Sequence, residues 1–273
     1  FLVPMFADEL YGPGQPLDLA TTYVILPDNI GHGGSSKPSD GLRMAFPRYD
    51  YDDMVALQHR LLVEGLGVKR LKLILGTSMG CMHAFVWGET YPGFAERLAP
   101  FACNAVALAG RNRMWRKMAI DAIRADPAWM GGNYTTQPLA GLRTVIDLLI
   151  LAGANPVAQQ AQYPTREATE KALDQAFNAR IGAIDANDAL YYIDASRNYD
   201  PSPALEKITV PVLWVNSADD FINPPELGLA EQLVKRMPKA RFVLIPASTE
   251  TRGHGTHTAA KFWKADLAKL LAQ

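Results

Sequence analysis

The sequence predicts an α/β fold in which a mostly parallel, doubly wound sheet carries an inserted helical cap. Short apolar runs, typical of strands buried on both faces, alternate with helical patterns over most of the chain. Between residues 111 and 205 only helical patterns occur. A chain of 273 residues with 48% hydrophobic residues is also long enough for one substantial core.

Each element is predicted from its own pattern. The predicted strands are short apolar runs at residues 23–26, 71–75, 105–109, 212–215 and 242–245. The predicted core helices lie at 51–64, 79–91 and 226–236, followed by a last helix that ends near residue 271. The predicted helices of the cap lie at 114–125, 139–151, 167–179 and 183–196.

The domain division follows from these elements. Residues 1–110 and 206–273 are expected to form the α/β core, and residues 111–205 the helical cap. The chain opens with Phe1-Leu2-Val3, without an initiator Met and without a signal-peptide pattern. We therefore expect N-terminal strands of the core to be missing. A cytoplasmic location is expected, with the periplasm and secretion left as alternatives.

Composition excludes several classes of protein. The net charge is -1 and charged residues make up 20% of the chain, which gives no broad attraction to nucleic acid or to anionic membranes. No apolar run reaches the roughly 18 to 20 residues of a membrane-spanning helix. The two cysteines, Cys81 and Cys103, form neither a disulfide framework nor a zinc pattern. We expect two separate buried side chains, with a disulfide between them as the alternative. No cofactor or metal is expected.

A glycine-flanked serine is the most specific motif. Gly76-Thr77-Ser78-Met79-Gly80 matches the glycine-x-serine-x-glycine pattern and lies between a predicted strand and a predicted helix. That turn exposes a nucleophilic serine on a strained backbone. The amide of Met79, at the start of the helix, is suited to bind an oxyanion. Ser78 is therefore the candidate nucleophile and Met79 the candidate oxyanion donor. No loop supplies a second donor.

A serine hydroxyl needs a base, and the base needs an acid to orient it. Asp219 and Asp220 follow the predicted strand at 212–215, at the edge of the sheet where ligands bind. From this position alone the two aspartates compete. His254, between two glycines after the strand at 242–245, is favoured as the base over His257, which is expected in the first turn of the last helix.

The chain resembles the α/β-hydrolase fold, and within it the homoserine O-acetyltransferase family. The resemblance implies that Asp220, by its spacing to the following prolines, is the acid of the triad. It also implies a dimer formed through the cap. Five stretches carry it: residues 12–18, residues 76–82, Asp126-Pro127 with residues 131–134, residues 220–226, and Gly253-His254.

Two departures separate this chain from that family. The family has glycine at the positions of Thr77 and Cys81. It also carries a substrate-binding arginine in the cap where this chain has Ile120, and Arg113, Arg116 and Arg124 are expected on other faces of the helix. Such an arginine binds a substrate carboxylate through paired hydrogen bonds. Its absence argues against homoserine as the substrate.

The predicted function is that of an esterase-like serine hydrolase that forms an acyl-enzyme on Ser78, with His254 as base and Asp220 as acid. One alternative is an O-acyltransferase that uses acetyl-CoA and an alcohol acceptor. Another is a binding protein that keeps the fold without catalysis. The expected partner is a small-molecule ester or acyl donor, and neither nucleic acid nor a membrane.

Overall fold

The computed structural model describes residues 7–273. Its four strands pair in parallel in chain order: β1 (Ile74–Thr77), β2 (Leu98–Phe101), β3 (Val212–Ser217) and β4 (Ala240–Ile245). All six residues of β3 are buried, as expected for a central strand of a parallel sheet. Because the strands are parallel, the residues that follow them meet at one edge.

The second strand lies elsewhere than predicted. Residues 105–109 form no strand, and the chain instead pairs earlier, at Leu98–Phe101. This run contains Pro100, which has no N–H to donate and so disguises a central strand. The ladder to β3 is accordingly recorded only at Leu98 with Val212 and at Phe101 with Val215.

The prediction of a strand at residues 23–26 is also wrong. Residues 22–29 run without a ladder to any described strand, and Tyr23 is 85% exposed. Residues 22–29 and residues 71–77, which include β1, line the same cavity of about 290 Å³. The segment therefore lies beside the sheet without joining it.

Helices cover both faces of the sheet. On one face, α1 (Tyr51–Arg60) and α2 (Met79–Thr90) pack with Trp214 of β3 in the larger apolar cluster. On the other face, α9 (Lys264–Leu271) packs with Phe101, Leu213 and the fully buried Trp263. The alternation of Leu213 and Trp214 between the clusters is the period of two of a strand.

The polypeptide between β2 and β3 is helical where it is regular. Four of the five helices there agree with predicted helices to within a few residues, whereas the short helix α5 (Pro156–Gln162) was not predicted. Asn155 caps α5, its side chain accepting from the amides of Val157 and Ala158. The division at residues 111 and 205 stays a prediction. The bounds are α3 (Gly110–Ala125), α4 (Leu139–Gly153), α5 (Pro156–Gln162), α6 (Arg166–Ile181) and α7 (Ala186–Asp194).

The helix predicted at 226–236 is broken. Gly228 adopts a left-handed conformation with φ of 63°, which ends a 3₁₀ turn at Leu227 and starts α8 (Leu229–Leu233) anew. Among residues 7–273, no single helix has the length and hydropathy to cross a membrane. α4 and α5 meet that criterion only as a pair, and they are bent by 104° where they join.

The two cysteines are joined, so the expectation of two separate side chains is wrong. The disulfide between Cys81 and Cys103 ties the first turn of α2 to the chain that follows β2, across 22 residues of sequence. Disulfides persist mainly in oxidising compartments. This bond therefore favours the periplasmic or secreted alternative, and the location stays a prediction.

Candidate active site

The serine of the glycine-flanked motif lies in a strained turn between β1 and α2. Ser78 has φ of 54° and ψ of −112°, a left-handed backbone that side chains rarely adopt. Its amide donates to the carbonyl of Phe101 at 2.8 Å, which fixes the turn to β2. At Gly76 a Cβ atom would lie 1.9 Å from the carbonyl oxygen of Gly80. The crossing of strand and helix thus depends on the glycine at 76.

Three side chains from distant parts of the sequence meet at this edge of the sheet. His254 Nε2 lies 2.8 Å from Ser78 Oγ, and His254 Nδ1 lies 2.9 Å from Asp220 Oδ2. His254 and Asp220 are buried, with 9% and 2% of their surface exposed. When Nδ1–H donates to the carboxylate, Nε2 is left to accept the proton of the serine hydroxyl.

The carboxylate of Asp220 is held by its own loop. Its Oδ1 accepts the amides of Ile222 at 2.8 Å and Asn223 at 3.1 Å, and its Oδ2 accepts from the Asn223 side chain at 3.3 Å. Burial raises the pKa of Asp220, but the His254 imidazole and these hydrogen bonds outweigh burial and leave that pKa below its usual value. Asp220 is therefore ionised at neutral pH.

Sequence reasoning missed Asn223. Besides holding Asp220, the side chain of Asn223 donates to the backbone carbonyl of Ala102 at 3.0 Å. The backbone carbonyl of Asn223 accepts from the side chain of Asn216 at 2.7 Å. It thereby ties the acid loop to the ends of β2 and β3. The available signal was an asparagine three residues after the aspartate and just before two prolines, a composition typical of a hydrogen-bonded turn.

The competing candidates lie beside these groups. Asp219 points away from the imidazole, and its carboxylate contacts Asn155, Thr251 and the amide of Gly253. His257 lies in the same 3₁₀ turn as His254, Gly253–Thr258, so its expected position in the last helix is wrong. Burial and the neighbouring His254 lower the pKa of His257, which keeps its ring neutral.

Met79 is the first residue of α2, and 9% of its surface is exposed. The amide of a first helical residue has no acceptor within its own helix, and the helix dipole places partial positive charge there. Met79 follows Ser78 directly in the chain, and its role as an oxyanion donor stays a prediction. Among residues 7–273, no group of three or more His, Cys, Asp or Glu side chains is placed to hold a metal. The expectation of no cofactor stays a prediction.

A family profile described as alpha/beta hydrolase fold matches residues 14–250. The chain belongs to the alpha/beta hydrolase fold family. Among curated proteins, the homoserine O-acetyltransferase of Chloroherpeton thalassium is 30% identical over 278 residues, which cover 90% of this chain and 70% of that protein. The predicted resemblance is thereby confirmed.

Solved structures agree with this assignment. The acetyl esterase MekB is 26% identical, with a TM-score of 0.84 over 98% of this chain and 83% of that one. The homoserine O-acetyltransferase of Bacillus anthracis is 23% identical, with a TM-score of 0.85 over 97% of this chain and 80% of that one. The predicted fold class is confirmed. With transferases and esterases among its relatives, this alpha/beta hydrolase is an enzyme that acts as a hydrolase or an acyltransferase.

The cap of this alpha/beta hydrolase holds a buried arginine that sequence reasoning placed wrongly. Arg116 lies one helical turn before Ile120 on the same buried face of α3, with 8% of its surface exposed. It donates to Ser196 Oγ and Asn112 Oδ1, both at 3.1 Å. Among the described residues, no carboxylate lies within ion-pair distance of Arg116. A buried guanidinium with only neutral partners is unusual.

A second buried histidine gives this alpha/beta hydrolase a predicted sensitivity to acid. His83 of α2 packs edge-on against Tyr51, and burial lowers its pKa to about 3. In the unfolded chain the His83 imidazole takes up a proton near pH 6.5, whereas in the folded chain it stays neutral. The free energy of unfolding therefore falls as the pH falls below 6.5. Between pH 7 and pH 5 we expect His83 to account for a loss of about 2 kcal/mol.

Urea unfolding at both pH values measures this loss. In His83→Leu the dependence on pH should be weaker than in the wild type by about the same 2 kcal/mol. An equal dependence in the two proteins would show that His83 is protonated, or exposed, in the folded state. His59, which stacks on Tyr91 and is only partly buried, provides the control variant His59→Leu.

Proposed function

We propose that the chain is a serine-dependent acyl hydrolase that acts on small carboxylic esters. The observation that carries the proposal is the continuous line of hydrogen bonds from Ser78 Oγ through His254 to Asp220 Oδ2, of 2.8 and 2.9 Å. This arrangement supplies a hydroxyl with a base within bonding distance and a base with a fixed tautomer. Its chemistry is acyl transfer.

The reaction proceeds in two halves. His254 takes the proton of Ser78 as Oγ attacks the ester carbonyl, and Asp220 stabilises the imidazolium that forms. The Met79 amide binds the oxyanion of the tetrahedral intermediate, a contact worth about 3 kcal/mol in comparable sites. The alcohol leaves with the proton from His254, and an acyl group remains on Ser78. Water, deprotonated by His254, then releases the carboxylic acid and restores the serine.

One residue of the cap favours water as the acceptor. The cap presents Ile120 where the resemblance implies a carboxylate-binding arginine, so the acceptor site of a homoserine transferase is incomplete at that position. Hydrolysis is compatible with the fold, since the acetyl esterase MekB shares it over nearly the whole chain at 26% identity.

A second candidate is an O-acyltransferase that uses acetyl-CoA and a carboxylate-bearing alcohol. Arg116 favours it, since this buried guanidinium with neutral partners lies one turn from the position of the implied arginine. A substrate carboxylate would give Arg116 the counter-charge that the protein does not provide. In this candidate the acyl-enzyme is the same and only the second half of the reaction differs.

Product analysis separates the two candidates. The full-length protein is supplied with p-nitrophenyl acetate or acetyl-CoA, with and without homoserine. Hydrolysis predicts acetate at a rate that homoserine does not change. Transfer predicts O-acetylhomoserine at the expense of acetate. Transfer that disappears in Arg116→Leu would replace the hydrolase proposal with the second candidate. A small-molecule ester or acyl donor as partner, and the dimer, stay predictions.

A further inference from the structure

The aspartate beside the acid of the triad accepts as many hydrogen bonds as the acid itself, four in each case. Asp219 Oδ2 accepts from Asn155 Nδ2 at 2.7 Å, from Thr251 Oγ1 at 2.7 Å and from the amide of Gly253 at 3.1 Å. Its Oδ1 accepts from the hydroxyl of Ser217. Such a carboxylate, with four donors from three parts of the chain, is rigidly placed.

These donors belong to separate elements. Ser217 ends β3, Thr251 and Gly253 belong to the loop that carries His254, and Asn155 precedes α5. Asn155 is buried, with 4% of its surface exposed, and its side chain is fully used. While Nδ2 donates to Asp219 and to the Thr251 carbonyl at 2.9 Å, Oδ1 caps α5.

The backbone at Gly253 also packs closely against the backbone before α5. Gly253 has φ of +60°, and a Cβ there would lie 2.6 Å from the carbonyl oxygen of Ala154. The peptide before Asn155 therefore lies directly against the peptide before His254. A displacement of the start of α5 toward this loop would push directly on the backbone that carries the imidazole.

We propose that Asp219 and Asn155 form a positioning pair that fixes the backbone of His254 and couples it to α5. The inference rests on the proposed function, since it assigns a role toward the base of that triad. Adjacent aspartates then hold one histidine in two ways. Asp220 orients the ring, and Asp219 holds the amide of the preceding residue, Gly253. Neither Asp219 nor Asn155 touches the reacting atoms.

The expected kinetic effect follows from geometry. If the backbone of His254 is free to shift by about 1 Å, the proton transfer from Ser78 slows by up to about 10²-fold. In Asp219→Asn two amide groups face each other, and in Asn155→Asp two carboxylates do. Each variant should lower kcat for p-nitrophenyl acetate by about 10- to 100-fold. KM should stay within about threefold, because neither side chain touches the reacting atoms.

The double variant Asp219→Asn/Asn155→Asp provides the decisive test. Oδ2 of Asp219 also accepts the Gly253 amide, and Nδ2 of Asn155 also donates to the Thr251 carbonyl, so exchanging the two residues does not restore the wild-type hydrogen bonds. If the two residues act through one contact, the second substitution should cost little once the first has been made, and kcat of the double variant should lie within about threefold of the slower single variant. If the two losses in kcat multiply instead, the residues act independently and the pairing is wrong.

Controls separate this inference from a loss of stability and from failure of the proposed function. Asp185 also accepts four hydrogen bonds, all within the cap, and Asp185→Asn should leave kcat within about twofold of wild type. Should a single variant fail to fold, Thr251→Val removes one donor to Asp219 and should lower kcat several-fold. Hydrolysis that survives Ser78→Ala overturns the function itself. If Ser78→Ala is inactive while Asp219→Asn is fully active, the proposed function stands and only the role of the positioning pair is overturned.

Discussion

Ser78→Ala is expected to lower kcat for short p-nitrophenyl esters by about 10⁵-fold while leaving the free energy of unfolding almost unchanged. The hydroxyl is the only atom lost, and in sites of this kind its removal costs as much as removing all three members. Residual turnover should come from the oxyanion site and from binding alone. The measurement is the initial rate of ester hydrolysis, accompanied by covalent labelling with a fluorophosphonate.

Labelling should disappear with the hydroxyl, since the reagent reacts with activated serines. Ser202→Ala is the matched control, because the hydroxyl of Ser202 donates to Asp200 outside the candidate active site, so this variant should keep full labelling and rate. Asp220→Asn should retain slow labelling while lowering kcat by about 10⁴-fold, because the imidazole then adopts the wrong tautomer. Undiminished labelling of the Ser78→Ala protein would place the nucleophile elsewhere.

The sequence was sufficient for the parts of the site that depend on local geometry. A strand, a tight turn and a helix leave periodic and glycine signals within a few residues, so the position of Ser78 could be predicted. The choice between Asp219 and Asp220 was different in kind. Two neighbouring aspartates on one loop have the same local composition, and they differ only in the direction of their side chains. Apolar periodicity does not predict that direction, so the choice of Asp220 depended on the family resemblance.

Long-range contacts account for what sequence reasoning missed. Asn155 precedes a short helix that begins with Pro156, and nothing near it in sequence indicates that its amide reaches Asp219. Pro100 concealed β2, because the rule that excludes proline from central strands assumes that every ladder position donates a hydrogen bond. Residues 23–26 have the composition of a strand, yet a strand also requires hydrogen bonds to a partner strand, and these residues line a cavity together with β1 instead.

The two glycines of the motif are equivalent in sequence but not in structure, and this difference gives the second large prediction. At Gly76 a Cβ would lie 1.9 Å from the Gly80 carbonyl oxygen and 2.9 Å from the Cys81 amide, both backbone atoms. At Gly80 a Cβ meets nothing within 4 Å. Gly76→Ala should therefore destabilise the protein by more than about 4 kcal/mol, since backbone cannot yield as a side chain can.

Gly80→Ala should fold at least as well as wild type, because alanine in a helix is more stable than glycine by up to about 1 kcal/mol. Urea unfolding of the two variants gives the comparison, and soluble yield serves where Gly76→Ala does not fold. Any Gly76→Ala protein that does fold must have moved α2 away from β1, so its Ser78 should label slowly with the fluorophosphonate. Equal stability of the two variants would mean that the close crossing of β1 and α2 at Gly76 is not present in solution.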